Sequence, residues 1–241
     1  MTGPAGRDSL ISAEDNRRMF DRIARRYDLM NRLLSLGLDR RWRRKAVSAL
    51  RPGAGRRYLD IGCGTGDMAI EIVRQCPGAV VVGLDPAGRM LEIAAERVRK
   101  AGLTGSIRLQ TGDAAELAFE DGSFSGTVTA FCIRNVMRQA RAIREMRRVL
   151  APGGRAVILE LTVPHNRVLR LGHTLHTACL VPLAGRLVAR NADAYRSLVD
   201  SVRHFRRPHE LLAMRAEAGF SDPCHIALLG GTVTIFVGRV E

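Results

Sequence analysis

The sequence predicts one α/β domain in which a mostly parallel sheet of seven strands is covered by helices on both faces. Three observations predict it. Apolar runs rich in β-branched residues alternate with segments of helical periodicity between residues 56 and 161. A glycine-rich turn, GCGTG, follows the first of these runs. Two strand-like segments are joined through Gly230-Gly231, which indicates a terminal antiparallel hairpin.

Residues 1–55 are predicted to form a basic helical segment in front of the sheet. Met19, Ile23 and Tyr27 recur every fourth residue, as they do along one face of a helix. The segment SLGLD at 35–39 predicts a break. We therefore expect two or three helices here, acting as a cap over the substrate.

The main domain is predicted over residues 56–241, where strands and helices alternate. The predicted strands are RRYLDI (56–61), AVVVGLD (79–85), SIRLQTGD (106–113), SGTVTAF (125–131), RAVILEL (155–161), HIALLGG (225–231) and TVTIFVGR (232–239). The predicted helices cover about 66–76, 87–102, 138–150 and 208–220, and APGG at 151–154 predicts a turn. Residues from about 162 to 207 carry no strand signal, so we expect a helical insert there.

Composition narrows the class of protein. The chain of 241 residues is 46% hydrophobic, which suits a packed α/β domain. No apolar run reaches the roughly 18–20 residues of a membrane span, and MTGPAGRDSL has no apolar core of the kind found in signal peptides. These features predict a cytoplasmic protein.

The cysteines and histidines do not predict a metal site. The five cysteines contain no C-x-x-C pair, and His173 and His176 lack a nearby acidic partner.

The net charge of +14 is concentrated near the start of the chain. Between Arg17 and Arg57 there are fourteen basic residues and three acidic ones, an excess of +11. Such a run is compatible with a solvated face, with an anionic membrane surface or with nucleic acid. The charge alone does not choose among the three.

The glycine-rich turn is compatible with two kinds of cofactor. Residues 64–69 match G-x-G-x-x-A, a form of the dinucleotide-binding fingerprint. The longer string at 60–66 is D-x-G-x-G-x-G, which resembles the first motif of S-adenosylmethionine (SAM)-dependent methyltransferases. Asp85 ends the second strand and can accept hydrogen bonds from ribose hydroxyls of either cofactor. Asp113 in TGDA resembles the adenine-contacting methyltransferase motif, and with the terminal hairpin it favours SAM.

Five segments carry a more specific resemblance. They are YDLMNRLLSLGLDRRWRR (27–44), DIGCGTGD (60–67), FCIRNV (131–136), RVLAPGGRAVILEL (148–161) and DAYRSLVDSV (193–202). In this order they resemble the ubiquinone/menaquinone biosynthesis C-methyltransferases, over nearly the whole chain after about Met19. The resemblance implies a Rossmann-like class I methyltransferase fold and transfer of a methyl group from SAM to a ring carbon of a polyprenylated quinol.

The resemblance also implies roles for individual residues. The residues expected at the cofactor are Asp60, Gly62, Gly64, Thr65, Gly66, Asp85, Asp113 and Ala114, with Asp60 serving the ammonium group of SAM. Arg134 is expected to stabilise the developing phenolate or to orient a water, because its guanidinium stays charged and is a poor base. Asn135 is expected to hydrogen-bond a ring oxygen and Tyr27 to close the pocket. Asp193 and Tyr195 are expected to line or brace it.

Two positions depart from the family pattern. Ala130 stands where serine is usual, and Cys132 where glycine is usual. The loss of the serine removes one expected cofactor contact. The insert after Leu161 is only loosely similar to that of the family, so the exact acceptor stays open between a benzoquinol, a naphthoquinol and another aromatic or lipid acceptor.

Three rival functions are less favoured. A nucleic-acid amino-methyltransferase typically carries [DN]-P-P-[YF] after the fourth strand, which TAFCIRNV lacks; no nucleic-acid partner is expected. An oxidoreductase remains compatible with the glycines alone. A non-catalytic protein is disfavoured because the motif acids and glycines are intact.

A lipid-tailed acceptor gives the basic segment a role. The resemblance implies work at a membrane surface, where arginines favour anionic lipid. We therefore expect peripheral contact with an anionic membrane and weaker binding after charge reversal at Arg40, Arg41, Arg43 and Arg44. The oligomeric state is left open, with a homodimer as one alternative.

Overall fold

A computed structural model describes residues 12–164, 166, 201 and 205–241. Most of the predicted insert at 162–207 lies outside the described residues, and so do His173, His176, Asp193 and Tyr195. The helices are α1 (Ala13–Leu34), α2 (Asp39–Leu50), α3 (Asp67–Gln75), α4 (Gly88–Lys100), α5 (Gln139–Arg148) and α6 (Pro208–Glu217). The strands are β1 (Arg57–Ile61), β2 (Val80–Asp85), β3 (Ile107–Thr111), β4 (Phe124–Ala130), β5 (Leu150–Leu161), β6 (Ser221–Leu228) and β7 (Val233–Arg239).

The seven strands form one sheet in the order β3-β2-β1-β4-β5-β7-β6. The first five strands are parallel, and β7 is antiparallel to both β5 and β6. The strand order reverses between β1 and β4, and in open α/β sheets ligands bind beyond the carboxyl ends of the strands at such a point. The predicted fold class and the terminal hairpin are confirmed.

The sheet has a buried core on each face. On one face Ala46, Val47 and Leu50 of α2 pack with Met68 and Ile72 of α3. The other face is covered by α5 and α6, whose buried residues include Ile143, Met146 and Leu211. The central strands are buried on both faces, which explains why they read as continuous apolar runs in the sequence.

Two differences from the sequence-based prediction concern β5 and the chain break after α1. β5 begins at Leu150, so the predicted turn APGG belongs to the strand. Leu150 pairs with Phe124, and the register shifts before Gly126 pairs with Arg155; the turn residues are absorbed as an irregularity within the strand. The predicted break is present over 35–38, between α1 and α2.

The first helix packs on α4 and forms a roof over the carboxyl ends of the parallel strands. The Ser12 side chain caps α1 by accepting a hydrogen bond from Asp15 N at 3.0 Å. Ala24 of α1 packs with Ala87 and Met90. No helix within the described ranges is long and apolar enough to cross a membrane.

Candidate active site

A cavity of about 630 Å³ lies between α1 and the carboxyl ends of β1 to β4. Its wall is built from the loops that follow these four strands and from the inner face of α1. The predicted site residues on this wall are Tyr27, Gly62, Gly64, Asp85, Asp113, Ala114 and Asn135. The sequence therefore identified residues that five separate segments bring to one cavity.

The glycine-rich turn gives the cavity a floor of backbone. Gly62 and Gly64 line it, both with positive φ, a conformation that glycine adopts at little cost. A Cβ atom at Gly62 would lie 2.2 Å from the Sγ of Cys132. Gly66 has φ 84° and serves as the N-cap of α3, so it shapes the turn without reaching the wall. Only glycine fits at position 62 because Cys132 fills the space beside it.

Asp85 presents a carboxylate at the end of β2. Its two oxygens accept hydrogen bonds from Gly64 N at 2.8 Å and Ala87 N at 2.9 Å. Burial raises the pKa of Asp85, while these two backbone donors lower it. Each carboxylate oxygen has about two acceptor sites, so Asp85 can accept further hydrogen bonds from a ligand diol.

Asp113 follows β3, and its side chain is half-exposed at the cavity rim. One oxygen accepts a hydrogen bond from Ala115 N at 2.8 Å and the other from Arg138 at 3.0 Å. Ala114 is buried beside it and lines the wall. The rim thus offers a carboxylate next to a small apolar surface, which suits the exocyclic amine and the ring of an adenine.

Asp60 and Thr65 do not line the cavity, although the sequence assigned both to the cofactor. The Asp60 carboxylate accepts a hydrogen bond from Ala69 N at 3.0 Å, and burial raises its pKa to about 7. Thr65 donates to Asp28 at 2.6 Å. Both side chains therefore point away from the cavity. Asp60 pairs with a buried backbone N–H and Thr65 pairs with a carboxylate of α1, because buried polar groups need hydrogen-bond partners.

The loop after β4 contains a short 3₁₀ helix, Ile133–Asn135. Asn135 lines the cavity, whereas Arg134 is buried behind the wall. The guanidinium of Arg134 donates to Glu160 of β5 at 2.7 Å, and Arg134 N donates to the same carboxylate at 3.2 Å. Glu160 was not predicted as a site residue. The signal that could have identified it is an acidic residue inside an otherwise apolar strand.

The inner face of α1 completes the cavity with Asn16, Phe20 and Tyr27. Tyr27 contacts Phe20 edge to face, with ring centroids 5.9 Å apart. Burial raises the pKa of Tyr27, and the positive charges of Arg134 and Arg43 lower it. A phenol therefore lies at one end of the cavity with two guanidiniums close enough to influence its ionisation.

Polar contacts hold α1 in place along its length. Asn16 donates to Asn135 O at 3.3 Å, near the start of the helix. In the middle, Asp21 accepts a hydrogen bond from Arg89 N at 2.9 Å, in the first turn of α4. Towards the end, Asp28 accepts from Thr65 and from Arg97, the latter at 2.8 Å. Four contacts thus attach the roof to the loops of the site and to α4: Asn16–Asn135, Asp21–Arg89, Asp28–Thr65 and Asp28–Arg97.

Sequence reasoning missed the attachment role of Asp21 and Asp28. From the sequence, both were recognised only as two of the three acidic residues between Arg17 and Arg57. A carboxylate within the arginine-rich part of a helix is a signal for a specific polar partner. The partner of Asp21 is the N-terminus of α4, where negative charge is favourable. The charged partner of Asp28 is Arg97.

The wall fits SAM. Backbone at Gly62 and Gly64 allows close approach, Asp85 keeps free acceptor sites, and Asp113 lies beside Ala114 at the rim. No group of three or more metal-ligating side chains occurs within the described ranges. The sheet order, the terminal hairpin and this wall define a class I SAM-dependent methyltransferase.

Comparison with known proteins gives the family. A model of the ubiE/COQ5 methyltransferase family matches residues 10–239, and the chain belongs to this family. It is 40% identical over 222 residues to the ubiquinone/menaquinone biosynthesis C-methyltransferase UbiE of Geotalea uraniireducens, covering 92% of this chain and 94% of the relative. It is 44% identical over 220 residues to the demethylmenaquinone methyltransferase of Thermus thermophilus, covering 91% and 99%.

A solved structure gives independent support for the fold. The SAM-dependent methyltransferase TM1293 from Thermotoga maritima superposes with a TM-score of 0.65 at 19% identity. The match covers 94% of this chain and all of that one. The predictions of family, fold class and SAM as the cofactor are confirmed.

Proposed function

We propose that the protein transfers a methyl group from SAM to a ring carbon of a polyprenylated quinol, with demethylmenaquinol or a demethylated ubiquinol precursor as the acceptor. The two relatives carry these activities in their names, at 40% and 44% identity over most of both chains. The observation in the structure that supports the proposal most is the cavity itself. It joins the SAM-fitting wall to a second end formed by Tyr27, Phe131 and Asn135.

The proposed chemistry needs alignment and an electron-rich ring. SAM supplies a sulfonium-bound methyl group, which is already electrophilic. The acceptor hydroxyl loses its proton to water, and the ring carbon bonds to the methyl carbon as the carbon–sulfur bond breaks with its electron pair on sulfur. The ring hydrogen then leaves as a proton to water, which restores the aromatic ring. Alignment in such a step can be worth about 7–11 kcal/mol.

We propose that Asn135 orients the ring and that Tyr27 closes the pocket above it. The amide of Asn135 can donate to or accept from a ring oxygen. The aromatic faces of Phe20 and Phe131 are suited to a flat apolar ring. Arg134 is proposed to act indirectly, because Glu160 holds its guanidinium behind the wall. The cofactor roles of Asp60 and Thr65 are proposed on the same indirect basis, through the shape of the glycine-rich turn.

A methyl-transfer assay tests the proposal. Purified protein receives labelled SAM and, separately, short-tailed demethylmenaquinol or the ubiquinol precursor under reducing conditions. We expect label in one of the two quinols, and a loss of at least tenfold in kcat for Asn135→Ala with SAM affinity retained, in the range of a lost orienting contact. Retained SAM binding without transfer to either quinol contradicts the proposed acceptor.

We also propose peripheral contact with an anionic membrane through one face of α1 and the start of α2. Leu29, Leu33 and Leu36 are 53%, 48% and 84% exposed, and their spacing places them on one side of the helix and the turn after it. Exposed Arg40 and Arg41 follow directly. Apolar side chains flanked by arginines are typical of a surface that binds an anionic lipid interface.

The structure corrects one residue of the predicted basic surface. Arg43 is only 8% exposed, so it cannot contribute to a lipid-facing patch, because the side chain points inward from α2. Charge reversal at Arg40, Arg41 and Arg44, or serine at Leu33 and Leu36, is expected to weaken co-sedimentation with anionic liposomes. The matched control is Arg74→Glu, an exposed basic position on α3. Equal binding by all variants contradicts this surface.

A further inference from the structure

Arg43 lies behind the second end of the cavity, which Tyr27, Phe131 and Asn135 form and where the acceptor is proposed to bind. Its guanidinium carbon is 5.1 Å from the ring centroid of Phe131, and that of Arg134 is 6.0 Å from the same centroid. Phe131 lines the cavity and has a positive φ of 58°, an uncommon conformation for a bulky residue that clusters at functional sites. Two buried cations therefore flank one aromatic side chain of the wall.

The two cations differ in how completely their charge is neutralised. Arg134 has a hydrogen-bonded carboxylate, Glu160, at 2.7 Å. The salt bridge that the described residues give Arg43 is to Asp67, with 3.5 Å between Arg43 Nε and Asp67 Oδ2, and Asp67 is also paired with Arg97. Across the part of the chain that the structure describes, the Nε atoms of Arg43 and Arg134 both lack a hydrogen-bond partner, so the difference between the two cations lies in the distance and sharing of their carboxylates. Arg43 thus leaves more uncompensated positive charge behind the wall than Arg134 does.

Tyr27 shows what this charge does to a phenol in the cavity. Its hydroxyl belongs to the same chemical class as the hydroxyl of a quinol. The pKa of Tyr27 is raised overall because burial is the largest effect, and the positive charges of Arg134 and Arg43 reduce that rise. A second phenolic group placed at this end of the cavity would experience the same two cations.

We propose that Arg43 is a positioning residue of the methyl transfer, whose buried charge behind Phe131 favours the ionised, nucleophilic form of a phenolic acceptor beside Tyr27. The inference rests on the proposed function and names a group that acts on the acceptor rather than on SAM. The acceptor proton passes to water, because a guanidinium is a poor base.

The other charged or titratable groups near Arg43 come from several elements. The groups that interact with its charge are Tyr27 and Asp28 of α1, Asp60 of β1 and Asp67 of α3. The charged groups beside these partners are Arg32 of α1, Arg97 of α4, Arg134 of the 3₁₀ helix and, paired with Arg134, Glu160 of β5. Among them Asp60 has a pKa near neutrality, about 7, so its carboxylate offsets Arg43 less at neutral pH than a fully ionised acid would. The positive charge of Arg43 is therefore only partly offset by Asp60 near neutral pH.

The test is the pH profile of methyl transfer by the full chain, with a short-tailed quinol that needs no membrane. A cation lowers the pKa of the acceptor, so its removal raises that pKa and moves the rising limb of kcat to higher pH. For Arg43→Met we expect about a tenfold loss of kcat below the limb, which corresponds to one pKa unit, and convergence with the wild type at alkaline pH. Arg43→Lys is expected to restore most of the difference.

Arg43→Gln provides a second neutral variant should the methionine variant fail to fold, and Arg74→Met is the control that removes an exposed charge. SAM affinity is measured on each variant and is expected to change less than twofold. An equal loss of kcat at every pH, or an unshifted limb in both neutral variants, overturns the inference. Absence of transfer by the wild-type protein would instead overturn the proposed function, so the two failures are distinguishable.

Discussion

The ion pair between Arg134 and Glu160 is almost completely buried behind the site. We consider the replacement Arg134→Met, which removes the cation and keeps an apolar side chain of similar length. Glu160 is fully buried. It would keep two backbone donors, Arg134 N and Leu161 N, each at 3.2 Å, and lose the charged donor at 2.7 Å.

The magnitude follows from the burial of the remaining carboxylate. Removing one member of a buried pair leaves an uncompensated charge and costs about 3–5 kcal/mol. Two backbone hydrogen bonds offset part of that cost, so we expect the free energy of unfolding to fall by about 3 kcal/mol. Arg138→Met is the comparison, since its pair with Asp113 is about half-exposed on both sides and such pairs contribute about 0.2–1 kcal/mol.

Urea unfolding without cofactor, followed by far-ultraviolet circular dichroism, measures both variants. The double variant Arg134→Met/Glu160→Gln removes the orphaned charge, so it should be more stable than Arg134→Met, with a coupling energy of about 2–3 kcal/mol. The reasoning is refuted if Arg134→Met costs no more than Arg138→Met, or if the double variant is as unstable as the sum of its two single changes.

Three further predictions concern the turn and the roof. Gly62→Ala, whose Cβ would meet Cys132 at 2.2 Å, should abolish SAM binding by calorimetry, and unchanged affinity would contradict the geometry. Asp28→Asn removes the charge from the pair with Arg97 at 2.8 Å; amide hydrogen exchange in α1 should accelerate relative to α6, and equal protection would exclude the attachment. Asp60 has a pKa raised to about 7, so the folded protein binds a proton that the unfolded chain releases above about pH 4. Stability should therefore fall as pH rises from about 4 to 7, and Asp60→Asn should flatten that slope in unfolding measurements; an unaltered slope would show that another group causes it.

The sheet could be predicted from the sequence because its signals are local. The central parallel strands are largely apolar, and acidic residues mark two strand ends, Asp85 at the last position of β2 and Asp113 two residues after β3. The carboxyl ends of parallel strands meet at one edge of the sheet, so the cavity wall followed from strand order. The motif glycines could be placed for the same reason, since positive φ is a property of the residue and its turn.

The direction of buried polar side chains could not be predicted in this way. Whether Asp60 points to the cavity or to Ala69 N depends on which backbone donors the folded turn leaves unpaired. The inward orientation of Arg43 depends on how α2 rotates against the sheet, and four basic neighbours in RRWRRK concealed it. These are long-range packing outcomes, which residue type and spacing do not encode.

The antiparallel strand β7 has a consequence for how the molecule is made. It lies between β5 and β6, and Val240 beyond it exchanges two backbone hydrogen bonds with Gly153 and Gly154. During synthesis the parallel strands leave the ribosome long before β7 does. The edge of β5 that β7 will occupy has no β7 partner while about seventy further residues are added, at roughly 5–20 residues per second. An exposed apolar edge invites pairing with other chains, so for several seconds the nascent protein carries a site at which it can associate wrongly.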